Sequence, residues 1–178
     1  RQIRETLRKN ASALPGSIEP GQLFDRVMVD VPCSGLGALR RRPEARWRKS
    51  PRDIAELLPL QRQLLDAAIE ATRPGGVIAY VTCSPHAAET QNIVAEVLES
   101  GTVSLLDSAA ALREVALHTE GANGESVSVL AGEKDPGYTP QIKVKKGAPV
   151  VNASATTAQL WPHVHGTDAM FLALLRKN

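Results

Sequence analysis

Apolar positions come in two patterns along this chain, short continuous runs and longer stretches with helical spacing, and the two alternate. Phe24-Asp25-Arg26-Val27-Met28-Val29 and Val77-Ile78-Ala79-Tyr80-Val81 read as strands of the kind buried in a parallel sheet. Between them, Ile54, Leu57, Leu58, Leu64, Leu65, Ala68 and Ile69 share one helical face. Ser50 is placed as the N-cap of that helix, Pro51 at its first position and Asp53 near the positive end of its dipole. Pro59 is expected to kink the helix or split it. Arg73-Pro74-Gly75-Gly76 ends it and turns the chain into the second strand. After Pro85 a further helix is predicted through Ser100, with Ile93, Val94, Val97 and Leu98 as its apolar stripe and Gly101 as its stop. Residues 103–106 predict a short strand and residues 169–175 a last one. Strand, helix, strand, helix, strand is the order of an α/β sheet with right-handed crossovers.

The remainder is less regular. Residues 1–10 read as a helix fragment, and 11–22 as a loop rich in Pro, Gly and Ser that leads into the domain. Periodicity fades over 107–158, where 121–124 and 134–149 are turn-rich and 127–130 is a candidate extra strand. This stretch is expected to be an irregular insertion, in part mobile. With 178 residues, 43% hydrophobic and 22% charged, one domain covering 23–178 is expected. Aromatics make up 3%, so wide base-stacking platforms are excluded. Apolar runs are too short to span a bilayer, and the residues after Arg1 do not resemble a secretory signal; a cytoplasmic protein is expected.

Charge and cysteine placement carry the chemistry. A net charge of +2 says little, but Arg40, Arg41, Arg42, Arg46, Arg48, Lys49 and Arg52 crowd one stretch against a single Glu44, with Trp47 among them. That combination suits phosphate contacts and one stacked base, and equally a solvated basic loop. Both cysteines stand at strand ends, in Asp30-Val31-Pro32-Cys33-Ser34-Gly35 and Thr82-Cys83-Ser84-Pro85. Open α/β sheets bind ligands beyond the carboxyl ends of their strands, so two thiols and an Asp are expected to converge on one crevice. Without a secretory signal, reduced thiols are favoured over a disulfide. A buried, inert cysteine is the bland reading for either thiol alone, but two such positions, each beside a proline, argue against it. His86, three residues past Cys83, does not make a hydrolase pair, and His163 and His165 do not complete a zinc spacing with the cysteines.

These motifs together resemble the Sun/Fmu-type RNA cytosine-C5 methyltransferases, in particular the bacterial enzymes of small-subunit ribosomal RNA. The resemblance covers residues 24–100 and 160–176, roughly half the chain, through Asp30-Val31-Pro32-Cys33-Ser34-Gly35-Leu36-Gly37, the basic run Arg40-Arg41-Arg42-Pro43-Glu44-Ala45-Arg46-Trp47, and Thr82-Cys83-Ser84. His165-Gly166-Thr167-Asp168-Ala169-Met170-Phe171 is similar to the family's closing Asp-Gly-Phe segment, with Ala169 in place of Gly. The resemblance implies a Rossmann-like class I methyltransferase sheet whose strands are mostly parallel and whose last strand is antiparallel. It also implies S-adenosylmethionine as donor and RNA, ribosomal RNA in particular, as partner.

Carbon 5 of cytosine is too weak a nucleophile to take a methyl group directly from a sulfonium, so a thiolate must first add to carbon 6. The resemblance gives that attack to Cys83 and assistance in release to Cys33. Asp30 would hydrogen-bond the cytosine edge and, with Pro32, flank the donor; this role asks for a partly buried acid with a raised pKa. A carboxylate that caps the following turn is the competing reading for Asp30. Thiol ionisation needs help, expected from the basic cluster or from a helix N-terminus after Ser84. Arg40, Arg41, Arg42, Arg46, Trp47, Arg48 and Lys49 would contact RNA.

The glycine-rich loop after a first strand and the acid ending a second, which hold the donor in this fold class, are missing from the sequence. The chain therefore reads as the C-terminal half of the catalytic domain, inactive alone, with residues 24–29 as an exposed edge prone to self-association. Two other classes stand beside this one. A noncatalytic RNA-binding module would use residues 40–52, and a nucleotide-hydrolase fragment would use Asp30 on magnesium but lacks a phosphate loop.

Overall fold

The computed structural model describes residues 21–115, 118–120, 126–128 and 156–178. In chain order the elements are β1 (Phe24–Asp30), α1 (Pro51–Ala71), β2 (Thr72–Thr82), α2 (Gln91–Glu99), β3 (Val103–Leu105) and α3 (Ser108–Val115). They continue with β4 (His118–Glu120), β5 (Ser126–Ser128), β6 (Ala158–Gln159), α4 (Pro162–His165) and β7 (Phe171–Lys177). The helix expected at 1–10 and the turn-rich stretches at 121–124 and 134–149 lie outside the described residues.

One open sheet has the order β1-β2-β7-β3, with β6 also on β7, and β4 pairs with β5 in a separate ribbon. β1 and β2 are parallel, joined through α1. β7 lies between β2 and β3 and is antiparallel to both, so β1, β2 and β3 run one way and the last strand runs against them, as the resemblance implies. The reason is where the chain enters β7. The preceding loop is tied to the carboxyl-end side of β1 and β2 by Ala169 N–H donating to the Gly37 carbonyl at 2.9 Å, so the strand must run back down the sheet. The result is a mixed α/β sheet consistent with a class I Rossmann-like methyltransferase fold.

Local differences from the sequence pattern have physical causes. α1 is one continuous helix, not split at Pro59. Pro59 lies on the exposed side, and Ala55, whose carbonyl it cannot satisfy, is exposed as well, so water replaces the lost bond. At the helix start the Asp53 carboxylate accepts the Ser50 N–H and Oγ–H, each at 2.7 Å. β2 begins at Thr72 instead of Val77: Thr72 already pairs with Phe24, residues 73–76 loop out, and pairing resumes at Val77 with Arg26. Gly75, at φ +75, makes that bulge possible. α2 is shorter than expected because a 3-10 turn, Ala87–Glu89, precedes it. α3 and the start of β6 appear in the stretch read as irregular, α4 forms where no element is predicted, and β7 starts at Phe171.

Alternation assigns the core to one sheet face. Ile78 and Tyr80 of β2, Phe171, Ala173 and Leu175 of β7, and Val103 and Leu105 of β3 are buried against Leu65, Ala68 and Ile69 of α1 and Ile93, Val94, Val97 and Leu98 of α2. The Tyr80 and Phe171 rings meet edge-on, 6.3 Å between centroids. On β1, Val27 and Val29 join this face, whereas Met28 points away and is 73% exposed. No other strand pairs with the outer edge of β1 among the described residues. Among them, too, no helix is long and apolar enough to cross a membrane.

Leu65 has no exposed surface, so Leu65→Ala is expected to lower unfolding free energy by about 2–5 kcal/mol. Urea denaturation followed by circular dichroism measures this, and a loss below about 1 kcal/mol would place Leu65 outside the packed core.

Candidate functional site

Parallel pairing of β1 with β2 delivers both strand ends to the same side of the sheet. Val31 N–H donates to the Val81 carbonyl at 3.1 Å, carrying the pairing one residue past β1. Each chain then turns away through its cysteine, and the two sulfur atoms lie 3.3 Å apart. The expected convergence of the two thiols is therefore met, and both are free and half-buried.

The loop after Cys33 is held close by backbone bonds. Gly37 N–H donates to the Cys83 carbonyl at 2.9 Å, while the Gly37 carbonyl accepts from Ala169. A Cβ at position 37 would overlap the Ala169 carbonyl oxygen and stand 2.6 Å from that of Cys83, so only glycine fits between the three segments. Gly35, at φ +73, supplies the left-handed turn before it.

Ionisation of the pair is unequal. The Cys33 thiol is lowered to about 6, first because Cys83 donates its S–H to it, with the Thr82 hydroxyl and Gly35 N–H assisting against burial and the charge of Glu89. The Thr82 hydroxyl is buried and has no partner at ordinary hydrogen-bond distance, so it acts on this sulfur as a nearby dipole. Cys83 is pushed up, chiefly because its proton is held by Cys33, and also by burial and the charge of Asp30. The pair thus shares one proton, with the thiolate on Cys33. Help with ionisation reaches Cys33 first from the neighbouring thiol, and the basic run contributes through the charge of Arg41 facing Cys83.

Asp30 stands at the end of β1, exposed instead of partly buried, with no hydrogen bond or ion pair among the described residues. Pro32 is exposed beside it, and its carbonyl accepts from Gln61 Nε2 at 2.9 Å. The basic run divides. Arg40 Nε donates to Asp168 Oδ1 at 2.7 Å, and Arg41 Nε to Oδ2 at 2.8 Å with Arg41 Nη2 on the same oxygen. Arg41 and then Arg40 hold the Asp168 carboxyl below the usual range against its burial. These two cations fasten the 3-10 turn Leu36–Ala38 to the loop before β7. Arg42, Arg46, Arg48 and Lys49 are exposed without ion pairs among the described residues, and Trp47 is 84% exposed. Arg52 pairs with Glu56 at 2.8 Å.

Glu89, Gln61, Ser34, Ser84 and Asp168 were not singled out as site residues by their sequence positions. The signal for the serines is the repeated Cys-Ser step, 33–34 and 83–84, since two buried hydroxyls need an acceptor. His86 caps the turn Ala87–Glu89, accepting Ala88 N–H on Nδ1 at 3.2 Å. His165 Nδ1 accepts from Trp161 N–H at 2.9 Å, and no metal-ligating cluster occurs among the described residues.

The pattern of the family described as 16S rRNA methyltransferase RsmB/F matches residues 4–176. The chain belongs to the RsmB/F family. A Mycobacterium tuberculosis protein named "Putative methyltransferase" is 48% identical over 160 residues, 90% of this chain and 27% of that protein. Ribosomal RNA small subunit methyltransferase B of Salmonella paratyphi B is 40% identical over 82 residues, 46% of this chain and 19% of the relative. A solved methyltransferase homolog from Pyrococcus horikoshii superimposes with a TM-score of 0.57 at 25% identity, over 99% of this chain and 50% of that one. This RsmB/F chain thus spans about a quarter of the length of the first of these relatives.

Alkylation with iodoacetamide, read residue by residue by mass spectrometry, tests the shared proton. Cys33 is expected to become reactive as pH rises through about 6, with Cys83 inert across the neutral range. Cys33→Ser should return Cys83 toward an ordinary thiol value of about 8.5. Equal reactivity of both thiols at pH 7 would contradict the coupling.

Proposed function

We propose that this chain is the C-terminal half of an S-adenosylmethionine-dependent RNA cytosine-C5 methyltransferase acting on small-subunit ribosomal RNA. The observation that carries the reading is the 3.3 Å approach of Cys33 and Cys83 at the carboxyl ends of parallel strands. An inert core cysteine needs no second thiol at its side, whereas reversible addition to a pyrimidine uses one sulfur to attack and another group to take protons. RsmB/F membership, and the name of the Salmonella relative, support ribosomal RNA as substrate.

In this reading Cys83 adds to carbon 6 while its proton passes to the adjacent Cys33 thiolate, and the unpartnered Asp30 carboxyl meets the ring nitrogen and amino edge of the cytosine. Cys33 loses the acquired proton to water and, again a thiolate, assists removal of the carbon-5 proton so that the Cys83–carbon bond breaks. S-adenosylmethionine supplies the electrophilic methyl group. Asp30 and Pro32, exposed at the end of β1, fit one flank of that donor, the carboxylate having no other partner among the described residues. The outer edge of β1 is where the donor-binding half would add its strands. Arg42, Arg46, Arg48, Lys49 and Trp47 form the RNA face, with Arg40 and Arg41 behind it on Asp168.

In the whole protein, Cys83→Ser is expected to abolish covalent capture of RNA, and Cys33→Ser to let a denaturation-resistant RNA adduct accumulate. Gel mobility after denaturation reads both, and the reverse pattern would exchange the two roles. If neither variant changes anything while binding weakens with salt, the noncatalytic RNA-binding reading is correct. The isolated chain should transfer no methyl group from labelled donor to RNA; sustained turnover would show that it holds the donor unaided.

A further inference from the structure

Each cysteine is followed by a serine that the proposed chemistry does not use. Ser34 and Ser84 are 2% and 0% exposed, and both hydroxyls donate to one atom, Glu89 Oε2, at 2.6 Å each. Glu89 Oε1 accepts Ser34 N–H at 2.8 Å and Gln61 Nε2–H at 3.0 Å. The Glu89 carbonyl accepts the Tyr80 hydroxyl at 2.8 Å, which fixes the 3-10 turn that carries it. Glu89 itself has no exposed surface. Burial pushes its carboxyl up, but the donors from Ser34, Ser84 and Gln61 outweigh that and leave it lowered, hence charged.

We infer that Glu89 is the positioning residue of the thiol pair: one buried carboxylate, by holding the serine after each cysteine, sets the distance at which the two sulfurs exchange a proton. The inference deepens the methyltransferase reading, and rests on it for its meaning in catalysis. Three elements meet at this carboxylate, the loop after β1, the loop after β2 and Gln61 of α1, and none of its hydrogen bonds comes from a cysteine. Losing it leaves two buried hydroxyls and a buried N–H to find other acceptors, so the two loops part. Its charge also opposes ionisation of Cys33, so geometry and charge act in opposite directions.

That opposition supplies the test. Glu89→Gln retains an acceptor for Ser34 N–H and Gln61 and, with its amide donating to the serine hydroxyls in place of accepting from them, keeps the tether while removing the charge. Glu89→Ala removes the tether. In the whole chain, the iodoacetamide pH profile of Cys33 should move to lower pH in Glu89→Gln and toward an ordinary thiol value in Glu89→Ala, where reactivity at pH 6.5 falls by about tenfold or more. Should Glu89→Ala lose its circular dichroism signal, Ser84→Ala, which cuts one tether, is expected to raise the Cys33 midpoint in the same direction. Folded variants whose profiles all superimpose on the parent's, or all shift the same way, would overturn the inference. No RNA enters this measurement: failure of the parent protein to capture RNA would sink the methyltransferase reading and leave the thiol result standing.

Discussion

Parallel pairing of Phe24–Asp30 with Thr72–Thr82 is the constraint on which the rest depends. In an antiparallel pair the end of one strand lies beside the start of the next. Here both ends arrive side by side, and the two dipeptides that leave the sheet in step are Pro32-Cys33 and Cys83-Ser84. Two chains departing from adjacent strand ends would ordinarily splay. They are drawn together by two backbone bonds, Val31 N–H to the Val81 carbonyl and Gly37 N–H to the Cys83 carbonyl, and by the buried carboxylate of Glu89.

The electrostatics follow from that enforced closeness. Two half-buried thiols in contact cannot both ionise readily, because the second charge would face the first in a poorly solvated place. The sulfur with more donors keeps the charge: Cys33 has the Gly35 N–H and the Thr82 hydroxyl, while Cys83 faces the charge of Asp30. In the proposed reaction, attack by Cys83 and ionisation of Cys33 would be two views of one proton's position.

Much of this architecture is legible in the amino-acid order. Apolar runs mark Val27–Val29 of β1 and the second half of β2, and Pro-Cys and Thr-Cys at their ends locate the paired thiols. What is not legible depends on contacts remote in sequence. Arg40 and Arg41 look free for phosphate until Asp168, more than a hundred residues later, is placed against them. Glu89 reads as a surface acid at a helix start, since nothing local shows that two serines, one 55 residues away, will donate to it. α3 escapes notice because Ala109, Ala110 and Ala111 give little contrast between faces. The antiparallel course of β7 is implied by the family resemblance and not by strand patterns, and it follows from where the preceding loop is anchored.

The pairing of Arg40 and Arg41 with Asp168 also alters how this surface would meet a polyanion. Of the seven cations between positions 40 and 52, two share the single carboxylate of Asp168, which offsets one of their charges, and a third, Arg52, pairs with Glu56. Four remain, Arg42, Arg46, Arg48 and Lys49. Binding a nucleic acid there would displace fewer condensed counterions than the bare count of basic residues suggests. The ionic-strength dependence of such binding would be correspondingly shallow, and stacking on Trp47 would add an attraction that salt does not screen.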